Sequence, residues 1–110
     1  MEKSSVLTVL SALAHDTRLD VFRLLVRAGP EGMTAGSLAA TLDIRSNTLS
    51  NNLVILSAAG LVRSAREGRA IRYFARMEQM RDLLGFLMED CCGGQPELCQ
   101  PVLDQITCPC

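Results

Sequence analysis

All five cysteines of this 110-residue chain fall in its last twenty residues. Three of them lie in Cys91-Cys92-Gly93-Gly94-Gln95-Pro96-Glu97-Leu98-Cys99, two adjacent thiols followed by a third across a Gly-Gly-x-Pro turn. Adjacent cysteines rarely close a disulfide on each other, because the ring strains the peptide between them, yet both sulfurs can reach one ion. Gly93-Gly94 lets the chain fold back, and Pro96 limits the entropy lost in bringing Cys99 to the pair. Soft thiolates select thiophilic ions over hard ones, so the segment reads as a three-sulfur site. A free thiol is mostly protonated at neutral pH, and its proton must leave when an ion takes the sulfur. Cys108-Pro109-Cys110 stays outside the primary ligand set, since terminal tails of this kind are most often mobile.

Upstream apolar spacing supplies the elements that must hold this segment. Val6, Leu10, Leu13 and Ala14 predict a first helix ending near His15. Asp16 or Thr17 is expected to cap a second helix with Leu19, Phe22, Leu25 and Val26 inside, stopped by Gly29-Pro30. Thr34 caps a short third helix carrying Ala35, Leu38, Ala39 and Leu42, and Asp43-Ile44-Arg45 is a tight connection. A fourth helix starts near Ser46, turns Leu49, Leu53 and Leu56 inward and ends at Gly60. The period then changes: residues 61–66 and 70–75 read as strands, with Glu67-Gly68-Arg69 as the turn. A last helix begins near Met77, carries Met80, Leu83, Leu84, Leu87 and Met88 on one stripe, and runs into Cys91. The expected fold is mainly α with a small β-hairpin, in the order α-α-α-α-β-β-α, a winged helix-turn-helix. Residues 1–92 are expected to form one globular domain, and 93–110 a cysteine-containing tail.

Composition agrees with a small helical domain. The chain is 48% apolar but only 4% aromatic, so its core must come mostly from Leu, Val, Ile, Ala and Met. A domain of this size leaves much of its surface in water and often gains stability by dimerising. The start, Met1 to Ser5, lacks the basic head and apolar stretch of a secretory signal, and no apolar run is long enough to span a membrane. No membrane partner is expected, and the expected setting is cytoplasmic. There, thiols are kept reduced and serve metal binding or redox sensing rather than a disulfide framework.

The formal net charge is −1, but its distribution is uneven. Arg45, Arg63, Arg66, Arg69, Arg72 and Arg76 are opposed within their stretch only by Glu67. Such a basic block on an acidic body is an electrostatic footprint for phosphates. In a helix-turn-helix the second helix enters the major groove, which here presents Ser46, Asn47, Thr48, Ser50 and Asn51. A polar helix face alone is more often a solvated surface; the arginine hairpin directly after it favours DNA. Arg66, Arg69 and Arg72 are expected to track phosphates or enter the minor groove, while Tyr73 packs on the body of the domain.

The stretches Leu13-Ala14-His15-Asp16-Thr17-Arg18-Leu19, Asn47-Thr48-Leu49-Ser50-Asn51-Asn52-Leu53 and Ala59-Gly60-Leu61-Val62 resemble the ArsR/SmtB family of bacterial metal-responsive repressors. The resemblance covers roughly residues 5 to 92. It implies a homodimer joined through the first and last helices, binding double-stranded operator DNA without a cofactor and leaving it when metal binds. Many members carry His where this chain has Asn52; an amide can still donate to a phosphate, so DNA binding is expected to survive the exchange.

Family sensing sites differ in place. One puts Cys-x-Cys on the third helix, where this chain has Met33-Thr34-Ala35-Gly36-Ser37. Another uses His and carboxylates on the last helix, and His15 is the only histidine here. The remaining thiols, Cys91, Cys92 and Cys99, resemble the arsenite-sensing branch, which implies As(III) or Sb(III) as inducer. Trivalent arsenic and antimony take three thiolates in a pyramid. A thiol-only set also leaves open a zinc-, cadmium- or lead-responsive repressor, a redox-responsive one, and a thiol-rich metal-binding module without DNA activity. Catalysis is excluded: no Arg follows Arg81 to cradle an oxyanion beside a nucleophilic cysteine. There is also no Gly-rich phosphate loop and no carboxylate pair at catalytic spacing.

Overall fold

The structure is a computed structural model and describes residues 1–89 and 91–106, the side chains of Cys91 and Cys92 excepted. Cys108 and Cys110 therefore lie outside the described residues. Helix α1 (Lys3–Leu13) turns Val6, Val9 and Ala12 inward. Leu10, expected inside, is exposed together with Leu7, because the buried stripe runs three residues apart from Val6. Helix α2 (Asp16–Ala28) buries Val21, Phe22 and Leu25. Its cap is His15 rather than Asp16 or Thr17: the imidazole Nδ1 accepts from the Arg18 backbone N–H at 3.5 Å. Leu19 and Val26 fall on the exposed flanks of α2, not in the core.

A 3-10 turn over Gly29–Glu31 leads into strand β1 (Met33–Thr34). Thr34 then caps helix α3 (Ala35–Leu42), its hydroxyl oxygen accepting from the Ser37 N–H at 3.2 Å. Asp43 takes the left-handed conformation that ends α3, with φ of 53°. Helix α4 (Ser46–Ala58) buries Leu49, Leu53 and Leu56 as expected. Strands β2 (Val62–Glu67) and β3 (Ala70–Ala75) pair antiparallel across a two-residue Gly68-Arg69 loop, one residue tighter than the sequence suggests. Strand β1 adds to the other edge of β3, with Met33 opposite Tyr73, giving the order β1-β3-β2. Two residues carry no periodicity, which is why β1 is silent in the sequence.

Helix α5 (Met77–Leu87) closes the domain by burying Leu83. The segment beyond Gly93, read as a tail, contains helix α6 (Pro96–Ile106). Proline at the first position and Glu97 after it suit a helix start. One core joins α1 to α5 and the sheet, with Val9, Val21, Leu25, Leu38, Leu49, Leu56 and Leu61 almost wholly out of water. Each such side chain contributes about 1.5–3 kcal/mol of burial, which fixes the attitude of α4 against the body.

Candidate nucleic-acid interface and thiol segment

Apolar residues on one side of α4 leave a polar row on the other. Ser46, Asn47, Thr48, Ser50 and Asn51 are all exposed, while Leu49 and Leu53 face the core. Asn47 Oδ1 accepts from the Thr48 N–H at 2.8 Å, satisfying one of the unpaired donors of the first turn. The row stands at the N-terminal end of the second helix of α3–turn–α4, which is the end that faces base edges in this motif.

Asn52 stands apart from this exposed row. It is 7% exposed and shares the inner stripe with Leu49, Leu53 and Leu56. Its Nδ2 donates to the Thr48 carbonyl at 2.9 Å, and its Oδ1 accepts from Arg18 Nη1 at 3.4 Å. Both ends of the Asn52 amide are thus engaged inside the fold. Arg18 was part of the recognised motif, but nothing in its spacing marked it as a partner for a residue 34 positions on.

In the wing, Arg66 and Arg69 are exposed. Arg72 is half-buried, with Nε donating to Glu67 Oε2 at 2.9 Å and Nη1 to the Glu31 carbonyl at 3.1 Å, so it also braces β3 against its surroundings. The Arg63 guanidinium lies 4.1 Å from the centre of the Phe74 ring. Tyr73 is half-buried against the core, as its position in the strand suggested. At the start of α5, backbone N–H bonding and then the neighbouring Arg76, 3.1 Å away, hold the Glu78 carboxyl below its ordinary value.

Two bonds tie α5 to the end of α4. Gln79 Nε2 donates to the Ala59 carbonyl at 2.9 Å, and the Arg76 N–H donates to the Leu61 carbonyl at 2.8 Å. Past α5 the chain makes a 3-10 turn over Cys91–Gly94, where Gly93 and Gly94 take φ of 57° and 85°. Those left-handed angles are ones glycine adopts without strain, and α6 follows after one residue, in contact with the turn. Cys99 lies on the inward side of α6, 4% exposed, and is disulfide-bonded. Its partner is one of the four other cysteines, whose side chains lie outside the described residues. The structure thus brings the element carrying Cys99 onto the turn carrying Cys91 and Cys92. Among the described residues, no three His, Cys, Asp or Glu side chains converge as a metal site.

An exposed polar helix face, a tight turn before it and a two-stranded wing after it define a winged helix-turn-helix DNA-binding protein. A helix-turn-helix domain family matches residues 13–65. The chain is 34% identical over 100 residues to the biofilm growth-associated repressor of Agrobacterium fabrum, covering 89% of this chain and 83% of that one. It is 36% identical over 78 residues, 71% of its length, to a Halobacterium salinarum protein whose name describes an arsenical resistance operon repressor, ArsR2; the match spans 64% of that protein. An ArsR-like transcriptional regulator from Rhodococcus sp. RHA1 superposes with a TM-score of 0.70 at 27% identity, over 97% of this chain and 96% of that one. The chain belongs to the ArsR family and is a DNA-binding transcriptional repressor, not an enzyme. None of its described helices is long and apolar enough to cross a membrane.

Proposed function

We propose that this repressor is a cytoplasmic homodimer that leaves its operator when As(III) or Sb(III) is held by Cys91, Cys92 and Cys99. The observation that supports the reading is the burial of Cys99 on a helix that directly follows, and touches, the turn bearing the cysteine pair. Three sulfurs and no imidazole fit a thiophilic ion that takes three thiolates. Cys99 must first be a thiol: two electrons and two protons from a cellular dithiol open its disulfide to two thiols. Three thiols then exchange for the three hydroxides of arsenous acid, and their protons leave in three waters.

The thiols lie just beyond α5, and α5 is bonded through Gln79 to the end of α4. Rearrangement at one end of α5 therefore has a path to the attitude of the reading helix at the other. By linkage, DNA weakens inducer binding by the same factor by which inducer weakens DNA binding. Dimerisation is supported by apolar surface that the monomer leaves in water: Leu7 and Leu10 on α1, Leu84 and Leu87 on α5, and Met88 just after it. α1 and α5 pack on each other, so these side chains belong to adjoining elements.

The test is an arsenite titration of the operator complex of reduced protein. Arsenite is expected to release the duplex and zinc to leave it bound; release by zinc alone overturns the ligand assignment. A second reading, a redox-responsive repressor of the same fold, is favoured by the disulfide at Cys99. It requires oxidation by a peroxide or a small disulfide, without arsenite, to change operator affinity.

A further inference from the structure

Among the described residues, Asn52 is the one polar side chain in the buried class, and its amide is used at both ends. Burying an amide is favourable only when its donors and acceptors are met, so its placement in a leucine stripe asks for a reason. The partners supply one. Arg18, at the start of α2, donates through Nε to the Ala12 carbonyl at 2.6 Å and through Nη1 to Asn52 Oδ1. Ala12 is in the last turn of α1, where helix carbonyls have no partner within the helix. The second arm of Asn52 holds the carbonyl of Thr48, a member of the exposed row on α4.

From this chain of bonds we infer that Arg18 and Asn52 form a polar clip that sets the reading helix against the end of α1. The inference rests on α4 being the helix that reads DNA. Arg18 and Asn52 are positioning residues: neither faces the duplex, and both act through the attitude of the Thr48 turn. A leucine stripe alone fixes the depth of α4 in the core but tolerates sliding along the stripe. A directional, charge-assisted bond from a planar guanidinium does not. The clip also explains how Asn at position 52 serves a DNA-binding protein without touching DNA.

The experiment titrates wild type, Arg18→Ala, Asn52→Ala and the double variant onto a fluorescent duplex that the wild-type protein has enriched from a random-sequence pool. Binding is read at several salt concentrations, at a temperature where circular dichroism shows each protein folded. Each single change is expected to weaken binding on the order of tenfold, by leaving a buried polar group unpaired. The double variant is expected to be no worse than the weaker single, with the dependence of log affinity on log salt unchanged. A salt slope reduced by about 0.9 in Arg18→Ala would mean that Arg18 neutralises a phosphate instead of bracing Asn52, and overturns the clip. Additive losses, or wild-type affinity in both single variants, overturn it as well.

Should Arg18→Ala not fold, Arg18→Lys replaces it, since an ammonium reaches one of the two acceptors without holding both. A partial loss at constant slope is then expected, and wild-type affinity overturns the clip. Ser50→Glu, on the outward face of α4, tests the parent reading separately. Unchanged duplex binding there overturns α4 as the reading helix and the clip with it. Loss in Ser50→Glu beside wild-type affinity in the Arg18 and Asn52 variants overturns the clip alone.

Discussion

A sulfur can be a ligand or half of a disulfide, but not both at once, and Cys99 is where that choice falls. Its burial on α6 and its disulfide predict that inducer response depends on the thiol state of the protein. Protein kept in a dithiol reductant should release operator on adding arsenite; the same protein oxidised with diamide should not, in a fluorescence anisotropy titration. Substituting Ser for Cys91, Cys92 or Cys99 should leave operator affinity within about threefold of wild type, since all three follow α5 in the chain and none belongs to α4 or the wing, and should abolish release by arsenite. An unchanged response in Cys99→Ser, with loss in Cys108→Ser, would move the third ligand to the terminus. At this scale the sequence was uneven. Thiol chemistry is local, so nine consecutive residues announced it. The Arg18–Asn52 bond joins positions 34 apart, and no local pattern can announce that. The exposed side of α4 was legible because three leucines at helical spacing define the opposite side.

In the proposed mechanism α5 is the element that carries the signal from the thiol segment to α4. Its only side-chain bond to the end of α4, among the hydrogen bonds of the described residues, is from Gln79 to the Ala59 carbonyl. Gln79→Ala should therefore preserve operator affinity in the absence of inducer but reduce the arsenite effect, from roughly a hundredfold to tenfold or less. Comparing operator affinities with and without arsenite checks this. A second element-level prediction concerns the wing. Gly32 has φ of 61°, and a Cβ there would fall on the Tyr73 carbonyl and the Phe74 ring. Gly32→Ala should destabilise the fold by about 2–3 kcal/mol, through positive φ and a clash with backbone, measured by urea denaturation. The helices and the hairpin were readable because each repeats a period over several residues. Strand β1 escaped because it has two residues and exists only by pairing with β3. Helix α6 escaped for another reason: Gly93, Gly94 and Pro96 read as a turn, while Leu98, Val102, Leu103 and Ile106 kept helical spacing after it.

For the whole molecule, charge and symmetry decide whether phosphate attraction becomes operator binding. Between residues 45 and 76, six arginines against one glutamate give +5, so the rest of the chain carries −6. One such basic stretch on an acidic body binds a polyanion weakly. Two, held by a dimer at a fixed spacing, bind in one event, with an avidity gain on the order of a hundredfold or more. The apolar side chains that would hold the dimer are the ones the monomer cannot bury: Leu7 is 56% and Leu87 52% exposed. Leu87→Glu places a carboxylate in each copy of that surface. It should give a folded monomer by sedimentation velocity, with unchanged helix content and an operator affinity lower by about a hundredfold. The salt dependence should fall with it, because a monomer engages half the phosphates and each contributes about 0.9 to the slope. A Leu87→Glu protein that stays dimeric would move the interface off α5. A monomer that keeps wild-type affinity would mean that one wing and one reading helix suffice, and the spacing of the two would then have no part in repression.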